Sequence, residues 1–352
     1  FLAIMSWSTG STGRCADCST YIGLNYLWQP DFSTLANPKI WLAAAGQIFF
    51  TLSVGMGTIH CYSSYLRQKD DIALNAMSAG WMNGFVEIVL GSAVVIPIAV
   101  GYLGLDWVVD NAGFMMAFKT MPFLFDQWGS VLSVVAGVAW FGLLFFAGIT
   151  SSLAMGTPWM GFVQDEFNWS KNKSALILGF AILVMGLPTI FFFEKGVFDE
   201  YDYWTGTVSL VIFALAEVIL FAWVFGMDKG WKEITDGADM RVPRFYRPII
   251  KYITPLFIGI IFLSSLFKPL NGELSDWSLA FNSLINGNGW PWANDSIINQ
   301  IFHINTGVQW VKEGILTNMF YIDMSRFFLL ACFFALVAMV KVASNKRKKL
   351  AK

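Results

Sequence analysis

The residues of this sequence that could do chemistry are oxygen-bearing side chains set inside long apolar stretches. Asn83 and Glu87 are four residues apart, so on an α-helix they share one face. An amide oxygen one turn from a carboxylate suits a hard cation such as sodium, which prefers oxygen ligands. A hydrogen-bonded pair that joins two helices explains the same spacing equally well, so both interpretations stay open for these two residues.

A second cluster lies at residues 147–152, AGITSS. Thr150, Ser151 and Ser152 place three hydroxyls within one helical turn, beside small neighbours. Taken alone, this pattern is more typical of close helix packing than of an ion site.

The third feature is the uncharged stretch at residues 46–65, GQIFFTLSVGMGTIHCYSSY. Its length suits a bilayer core, which takes about 20 helical residues. Thr51, Ser53, Gly55 and Gly57 crowd its centre with polar and helix-weakening groups. Irregular backbone at membrane depth is tolerated only where it faces protein or a water-filled cavity. We therefore predict a broken helix and a binding site at the break, with tight packing at the glycines as the alternative.

Composition defines the elements that must position these groups. The 352 residues are 56% hydrophobic and 13% charged, with 33 Phe and 16 Trp, and the mean hydropathy is +0.57. Soluble domains carry about 25% charged residues, so the chain is predicted to be an integral membrane protein with the lipid bilayer as its solvent. No nucleophile, metal cluster or phosphate loop stands out, so we expect neither an enzyme, nor a cofactor, nor a nucleic-acid partner.

Apolar stretches predict seven spans, at residues 41–65, 81–105, 128–164, 175–193, 203–226, 252–267 and 327–340. Alternate loops hold 16 of the 23 Lys and Arg residues, which predicts a cytoplasmic C-terminus. The chain begins at Phe1 with an apolar FLAIM and shows no signal-peptide pattern, so we expect the C-terminal part of a longer protein.

The remaining segments carry weaker signals. Residues 106–127 are too apolar for a free loop and predict a packed hairpin that could act as a lid, whereas residues 268–323 predict an outer insertion. Residues 6–20 predict a polar loop, in which the lone Cys15-x-x-Cys18 does not indicate a metal site. His60 suits either a packed histidine or a proton relay.

Several motifs follow one another in an order that is far more specific than any of them alone. The first is GQIFFTLS at residues 46–53 with Gly55-x-Gly57, followed by N-x-x-x-E at 83–87 and LLFFAGITSS at 143–152. The later ones are DEYDYW at 199–204, AE at 216–217 and VPR at 242–244. In this order they resemble the neurotransmitter:sodium symporter family, especially its bacterial amino-acid transporters, over roughly residues 22–267.

The resemblance implies an all-α polytopic transmembrane bundle with a leucine-transporter-like fold, in which two inverted five-helix repeats bind substrate and ions between them. The family's first-helix motif, Gly-x-Gly-Asn ahead of Trp-Arg-Phe-Pro, is not found, so the first repeat is expected to be missing. The resemblance implies five parts. Residues 1–40 are a helix end with an outer loop, and residues 41–226 are the second repeat. Residues 227–267 are a cytoplasmic loop with the next helix, residues 268–323 are an outer insertion, and residues 324–352 are the last helix with a basic tail.

The resemblance also implies a ligand set. Thr51 and Asn83 match ligands of a first sodium site, and the Ala147 carbonyl with the hydroxyls of Thr150 and Ser151 matches a second. The substrate pocket is matched by Phe50, Thr51, Ser53, Met56, Ser151 and Met155.

Three carboxylates match family positions with other roles. Asp202 matches the acid of the outer gate, and Asp165 matches that of the inner gate. Glu87 stands where chloride-dependent members use a bound chloride, so the carboxylate implies chloride independence.

These expectations combine into one functional hypothesis with two alternatives. The hypothesis is a sodium-coupled symporter of apolar amino acids in a bacterial inner membrane, working by alternating access, with homo-oligomerisation left open. One alternative is a non-transporting receptor or accessory subunit of the same fold. The other is a proton-coupled transporter that uses Glu87 or His60.

Overall fold

The chain folds almost wholly into helices, many of them long and apolar. The computed structural model describes residues 17–350 except 68, 271–273 and 305–306. Phe1, Cys15 and most of the predicted polar loop at 6–20 therefore lie outside the described residues.

Among the described residues, six helices have the length and the apolar composition needed to cross a membrane. They are Ile72–Leu103, Ser130–Phe167, Lys171–Phe191, Val197–Thr235, Tyr246–Leu266 and Asn318–Lys349. They correspond to the last six predicted spans and confirm an integral membrane protein. Val197–Thr235 and Asn318–Lys349 are much longer than the predictions 203–226 and 327–340, because these helices continue through polar and charged residues at their ends.

The chain divides into two compact units. Among the described residues, the first holds 17–32 and 73–153, and the second holds 33–72 and 154–350. Each unit is described separately below.

The first unit is built on α1 (Thr20–Trp28) and α4 (Ile72–Leu103), whose middle, Phe85–Val95, is π-helical. The two helices pack closely, since a Cβ on Gly23 would lie 3.0 Å from the Cα of Pro97. The unit also contains α5 (Leu105–Asp110), a π-helical turn Met116–Thr120, α6 (Met121–Asp126) and the first part of α7 (Ser130–Phe167).

The predicted hairpin at residues 106–127 consists of α5 and α6. Met121, Leu124 and Phe125 are buried against Ile98 of α4. The indole N–H of Trp140 on α7 donates to the carbonyl of Ala117 at 3.0 Å. The hairpin is therefore a packed part of the first unit, as its apolar sequence predicted.

The second unit contains α2 (Pro38–Thr51), α3 (Thr58–Ser63), the rest of α7, α8 (Lys171–Phe191) and α9 (197–226). After Gly226, at φ +98°, follow α10 (Met227–Thr235), α11 (Tyr246–Leu266) and the closing helix α14 (Asn318–Leu350). Within α9 the stretches Asp202–Val208 and Leu220–Gly226 are π-helical, as is Ile249–Ile253 in α11. The core joins α2, α9 and α11 through Leu42, Val208, Val211, Ile258 and Ile261, with Ile297 beside them.

The insertion at residues 268–323 is ordered wherever the structure describes it. It contains α12 (Leu274–Ile285), α13 (Ile297–Phe302) and an antiparallel hairpin of β1 (Val311–Lys312) and β2 (Ile315–Leu316). Asp295 anchors it, because its carboxylate accepts from Lys268 at 2.8 Å and lies 3.6 Å from Lys39. Partial burial alone would raise the pKa of Asp295, but the hydrogen bond from Lys268 and the two positive charges hold that pKa below its usual value.

Candidate functional site

The helix predicted to break does so at residues 52–57. α2 ends at Thr51 and α3 begins at Thr58. Between them Ser53, Gly55 and Gly57 have positive φ values of 56°, 79° and 75°. Residues with a Cβ rarely adopt this conformation, so a serine there marks a backbone that its surroundings hold in place.

Glu217 of α9 holds the break. Its Oε2 accepts the backbone N–H of Gly55 at 3.0 Å, across 162 residues of sequence. A Cβ on Gly55 would lie 2.9 Å from the carbonyl oxygen of Leu210 on the same helix. Position 55 therefore requires a glycine for two reasons, its positive φ and its close approach to α9.

His60 faces the other oxygen of the same carboxylate. Its Nδ1 lies 3.7 Å from Oε1 of Glu217, where the imidazole is 70% exposed and the carboxylate 27% exposed. In the sequence Glu217 belongs to the AE motif at 216–217, and no role is predicted for it. The available signal was its charge inside an apolar span, which by itself suggests a functional residue.

The break lies against α7 as well as α9. A Cβ on Gly57 would lie 3.6 Å from Cβ of Pro158. Met155 lies three residues before Pro158 on α7 and is 44% exposed, while Phe50, at the end of α2, is 43% exposed. The second unit thus holds five of the predicted pocket residues, Phe50, Thr51, Ser53, Met56 and Met155.

The predicted ligands of the second sodium site lie one turn apart on α7, in the first unit. The Thr150 hydroxyl donates to the carbonyls of Phe146 at 2.9 Å and Ala147 at 3.0 Å. Its lone pairs stay available, so the hydroxyl and the Ala147 carbonyl are two neighbouring oxygens that a cation could share. Ser151 follows on the same exposed turn.

Asn83 and Glu87 lie on α4 of the first unit at a change of helix type. Asn83 is half-buried in the last turn of the α-helical part, and Glu87 is exposed in the π-helical stretch. Hydrogen bonds in a π-helix join residues i and i+5. The turn between the two side chains is therefore wider than the α-helical spacing predicted from the sequence.

The two predicted gate residues are exposed, and each has a bound acidic neighbour. Asp202 begins a π-helical stretch of α9, while Glu200 accepts from Nε and Nη2 of Arg326 at 2.8 and 3.1 Å. Asp165 lies near the end of α7, while buried Glu166 accepts from Nε of Arg347 at 3.0 Å. In both places it is the neighbour, rather than the predicted gate residue, that ties the helix to α14.

A helix interrupted by non-helical backbone, as at residues 52–57, is typical of ion-coupled secondary transporters. A profile described as the sodium:neurotransmitter symporter family matches residues 18–307. The chain belongs to this family, which confirms the resemblance found in its motifs and excludes an enzyme.

Curated relatives carry corresponding names. An uncharacterized sodium-dependent transporter of Methanocaldococcus jannaschii is 30% identical over 252 residues, which are 69% of this chain and 50% of that protein. The sodium-dependent nutrient amino acid transporter 1 of Drosophila grimshawi is 26% identical over 274 residues, 73% of this chain and 43% of that protein. The chain thus spans about half the length of these relatives.

A solved structure confirms the fold. The crystal structure of MhsT in complex with L-phenylalanine matches with a TM-score of 0.65 and 28% sequence identity. The match covers 75% of this chain and 58% of that one.

Proposed function

We propose that this chain supplies the second repeat and the last helices of a sodium-coupled symporter of apolar amino acids, since its proposed pocket residues include Phe50, Met56 and Met155. The observation that carries the proposal is the break at residues 52–57, held open by Glu217. Its freed backbone groups could receive the polar ends of an amino acid. The name of the Drosophila relative and the L-phenylalanine bound to MhsT support this substrate class.

Sodium is proposed as the driving ion at two sites. Thr51 and Asn83 would contribute to the first, and Ala147, Thr150 and Ser151 to the second. Uncharged oxygens of this kind replace the hydration shell of a hard cation. Because a ligand shifts an equilibrium only through its differential affinity for the two states, both sodium ions and the substrate must bind the occluded state best.

The remaining residues take roles around the substrate. Phe50, Thr51, Ser53, Met56, Ser151 and Met155 would line the pocket, in which Met56 adapts its shape to the substrate. Asp202 would serve the outer gate, Asp165 the inner gate, and Glu87 would replace a chloride. The partner groups of both gates would come from the first repeat, which we propose lies outside these 352 residues.

The proposed orientation in the membrane follows from the positions of the basic residues. Six of the last twelve residues are basic, which supports a cytoplasmic C-terminus. A plasma membrane, of the bacterial inner-membrane type, is the proposed location, and a homo-oligomer is compatible with it. The five-part division of the chain made from the sequence remains a prediction.

Uptake of labelled amino acids by the full-length protein in proteoliposomes tests the proposal. We expect uptake that follows a sodium gradient, needs no chloride, and is strongly reduced by Thr150→Ala but little changed by Ser152→Ala on the same turn. Uptake that is indifferent to sodium would contradict the proposal. Sodium-dependent binding without flux would instead favour a receptor of the same fold.

A further inference from the structure

We propose that His60 and Glu217 form a proton-binding site that controls the break at residues 52–57, an inference that rests on the proposed function. Glu217 connects two parts of the chain at once. Its Oε2 accepts the Gly55 N–H inside the break, and its Oε1 faces His60 on α3, one turn after the break. A single carboxylate therefore binds the break and faces the helix that follows it.

Other charges are absent from several helical stretches of the second unit. Glu217 is the only charged residue at positions 203–226 of α9. No charged residue occurs at 40–59 in α2 and the break, at 154–164 in α7, or at 252–267 in α11. Among the described residues no second carboxylate lies within ion-pair distance of His60, and its titratable neighbours on α3 are Cys61 and Tyr62.

The chemistry of the pair gives the direction of the effect. Imidazole side chains change charge between about pH 5 and 8. Binding a proton converts His60 into a cation opposite the Glu217 carboxylate, so α3 is drawn toward the group that holds Gly55. Losing the proton leaves Gly55 as the only partner of Glu217 on this segment. Acid therefore stabilises this arrangement of the break, and alkaline pH releases α3.

Exposure limits the size of the effect. Within the second unit the imidazole is 70% exposed and the carboxylate 27% exposed, so the pair is not a buried one. Exposed pairs are worth a few tenths to about 1 kcal/mol, which corresponds to about a two- to fivefold change in an equilibrium. A change of that size alters the rate of a conformational cycle without abolishing it.

Amide hydrogen exchange tests the site without reference to transport. Exchange of the peptide covering residues 50–58 is compared between the full-length protein and its His60→Gln variant at the same pH, which cancels the intrinsic pH dependence of exchange. We expect the wild-type peptide to exchange about two- to fivefold more slowly than the variant peptide near pH 5.5, and equally fast near pH 8. Equal exchange at both pH values would overturn the proposal.

Sodium-driven uptake in proteoliposomes gives the second readout. Wild-type uptake should change about two- to fivefold between about pH 8 and pH 5.5, and His60→Gln should remove that change. His60→Lys, which stays charged, should behave at both pH values as the wild type does in acid. His303→Gln, at the other histidine of the chain, should keep the wild-type profile.

The two proposals fail in different ways. If uptake follows sodium but His60→Gln keeps the wild-type pH profile, the proton site is wrong and the symporter stands. If no variant and no pH gives sodium-driven uptake, the proposed function is wrong. Should His60→Lys not fold, Glu217→Gln with His60 intact replaces it, and loss of the pH effect on exchange is again the expected result.

Discussion

Two carboxylates on the same helix, α9, are held in opposite ways. Glu200, near its N-terminal end, accepts from two nitrogens of Arg326 and from the Trp204 indole at 2.8 Å. Both ion-pair partners are only 16% exposed. Glu217, in the middle of the helix, accepts one backbone N–H and faces one exposed imidazole.

The environment of Arg326 strengthens the contrast. Its guanidinium also donates to the Gln300 carbonyl and lies 3.4 Å from Asp323, which accepts from Trp310 and pairs with His303. This network ties α9, α14 and the insertion together. Local stability differs across a protein, and elements that move are drawn from its less stable parts. We infer that the N-terminal end of α9 is a fixed support, and that the break beside Glu217 is a part that moves.

The largest effect is expected from breaking the fixed support. Arg326→Met leaves Glu200, which is only 16% exposed, as an uncompensated charge, so the free energy of unfolding should fall by about 3 kcal/mol. Sodium dodecyl sulfate titration in mixed micelles measures it. The double variant Arg326→Met/Glu200→Gln should recover most of the loss, and Asp228→Asn, in an exposed pair with Arg247, should cost little. Equal losses from the half-buried and the exposed pair would remove the contrast.

The next effect concerns the backbone of the break. Gly55→Ala meets both an unfavourable φ of 79° and the Leu210 carbonyl oxygen at 2.9 Å, whereas Gly57→Ala meets an unfavourable φ but no atom closer than 3.6 Å. The first change should abolish uptake and destabilise by about 2 to 3 kcal/mol, and the second should cost about 1 kcal/mol. Measurements of uptake and sodium dodecyl sulfate titrations of both variants check which change is the more harmful. If Gly57→Ala proved the more harmful, the contact with α9 would not be what fixes the break.

A smaller effect separates charge from hydrogen bonding at Glu217. Glutamine still accepts the Gly55 N–H but carries no charge, and hydrogen bonds to charged groups are stronger by about 1 kcal/mol than neutral ones. Glu217→Gln should therefore lower the uptake rate about five- to tenfold, and Glu217→Ala should lower it further. Measurement of initial rates at saturating sodium distinguishes the two. Equal rates in both variants would show that the hydrogen bond to Gly55 is unimportant.

The smallest effect tests whether charge also fixes the insertion. Asp295 has a pKa below its usual value, so it contributes stability at pH values above the pKa of the unfolded chain, near 3.9. That contribution is lost as pH falls through the lower pKa of the folded state. The melting temperature of Asp295→Asn should therefore be lower than that of the wild type at neutral pH, and the difference should shrink in acid. A difference that did not depend on pH would exclude a charge effect.

Sequence reasoning predicted the parts whose signal is local. Apolar runs predicted seven spans, and the last six are long helices among the described residues. The glycines and polar residues at 51–57 indicated the break in the first. The same reasoning placed the hairpin at 106–127 from its apolar character. Motif order indicated the family. Each of these depends on neighbouring residues, which the chain presents in sequence.

Tertiary structure decided which group holds the break and which groups hold the helices. Nothing near Gly55 in the sequence points to Glu217, which is 162 residues away, and Arg326 lies 126 residues from Glu200. Such pairs depend on how helices pack, and hydropathy does not encode helix packing. The sequence by itself determined that this chain is an integral membrane protein of the symporter family and that one of its apolar helices is broken. Only the folded structure showed that one carboxylate, beside a titratable imidazole, holds that helix in its broken form.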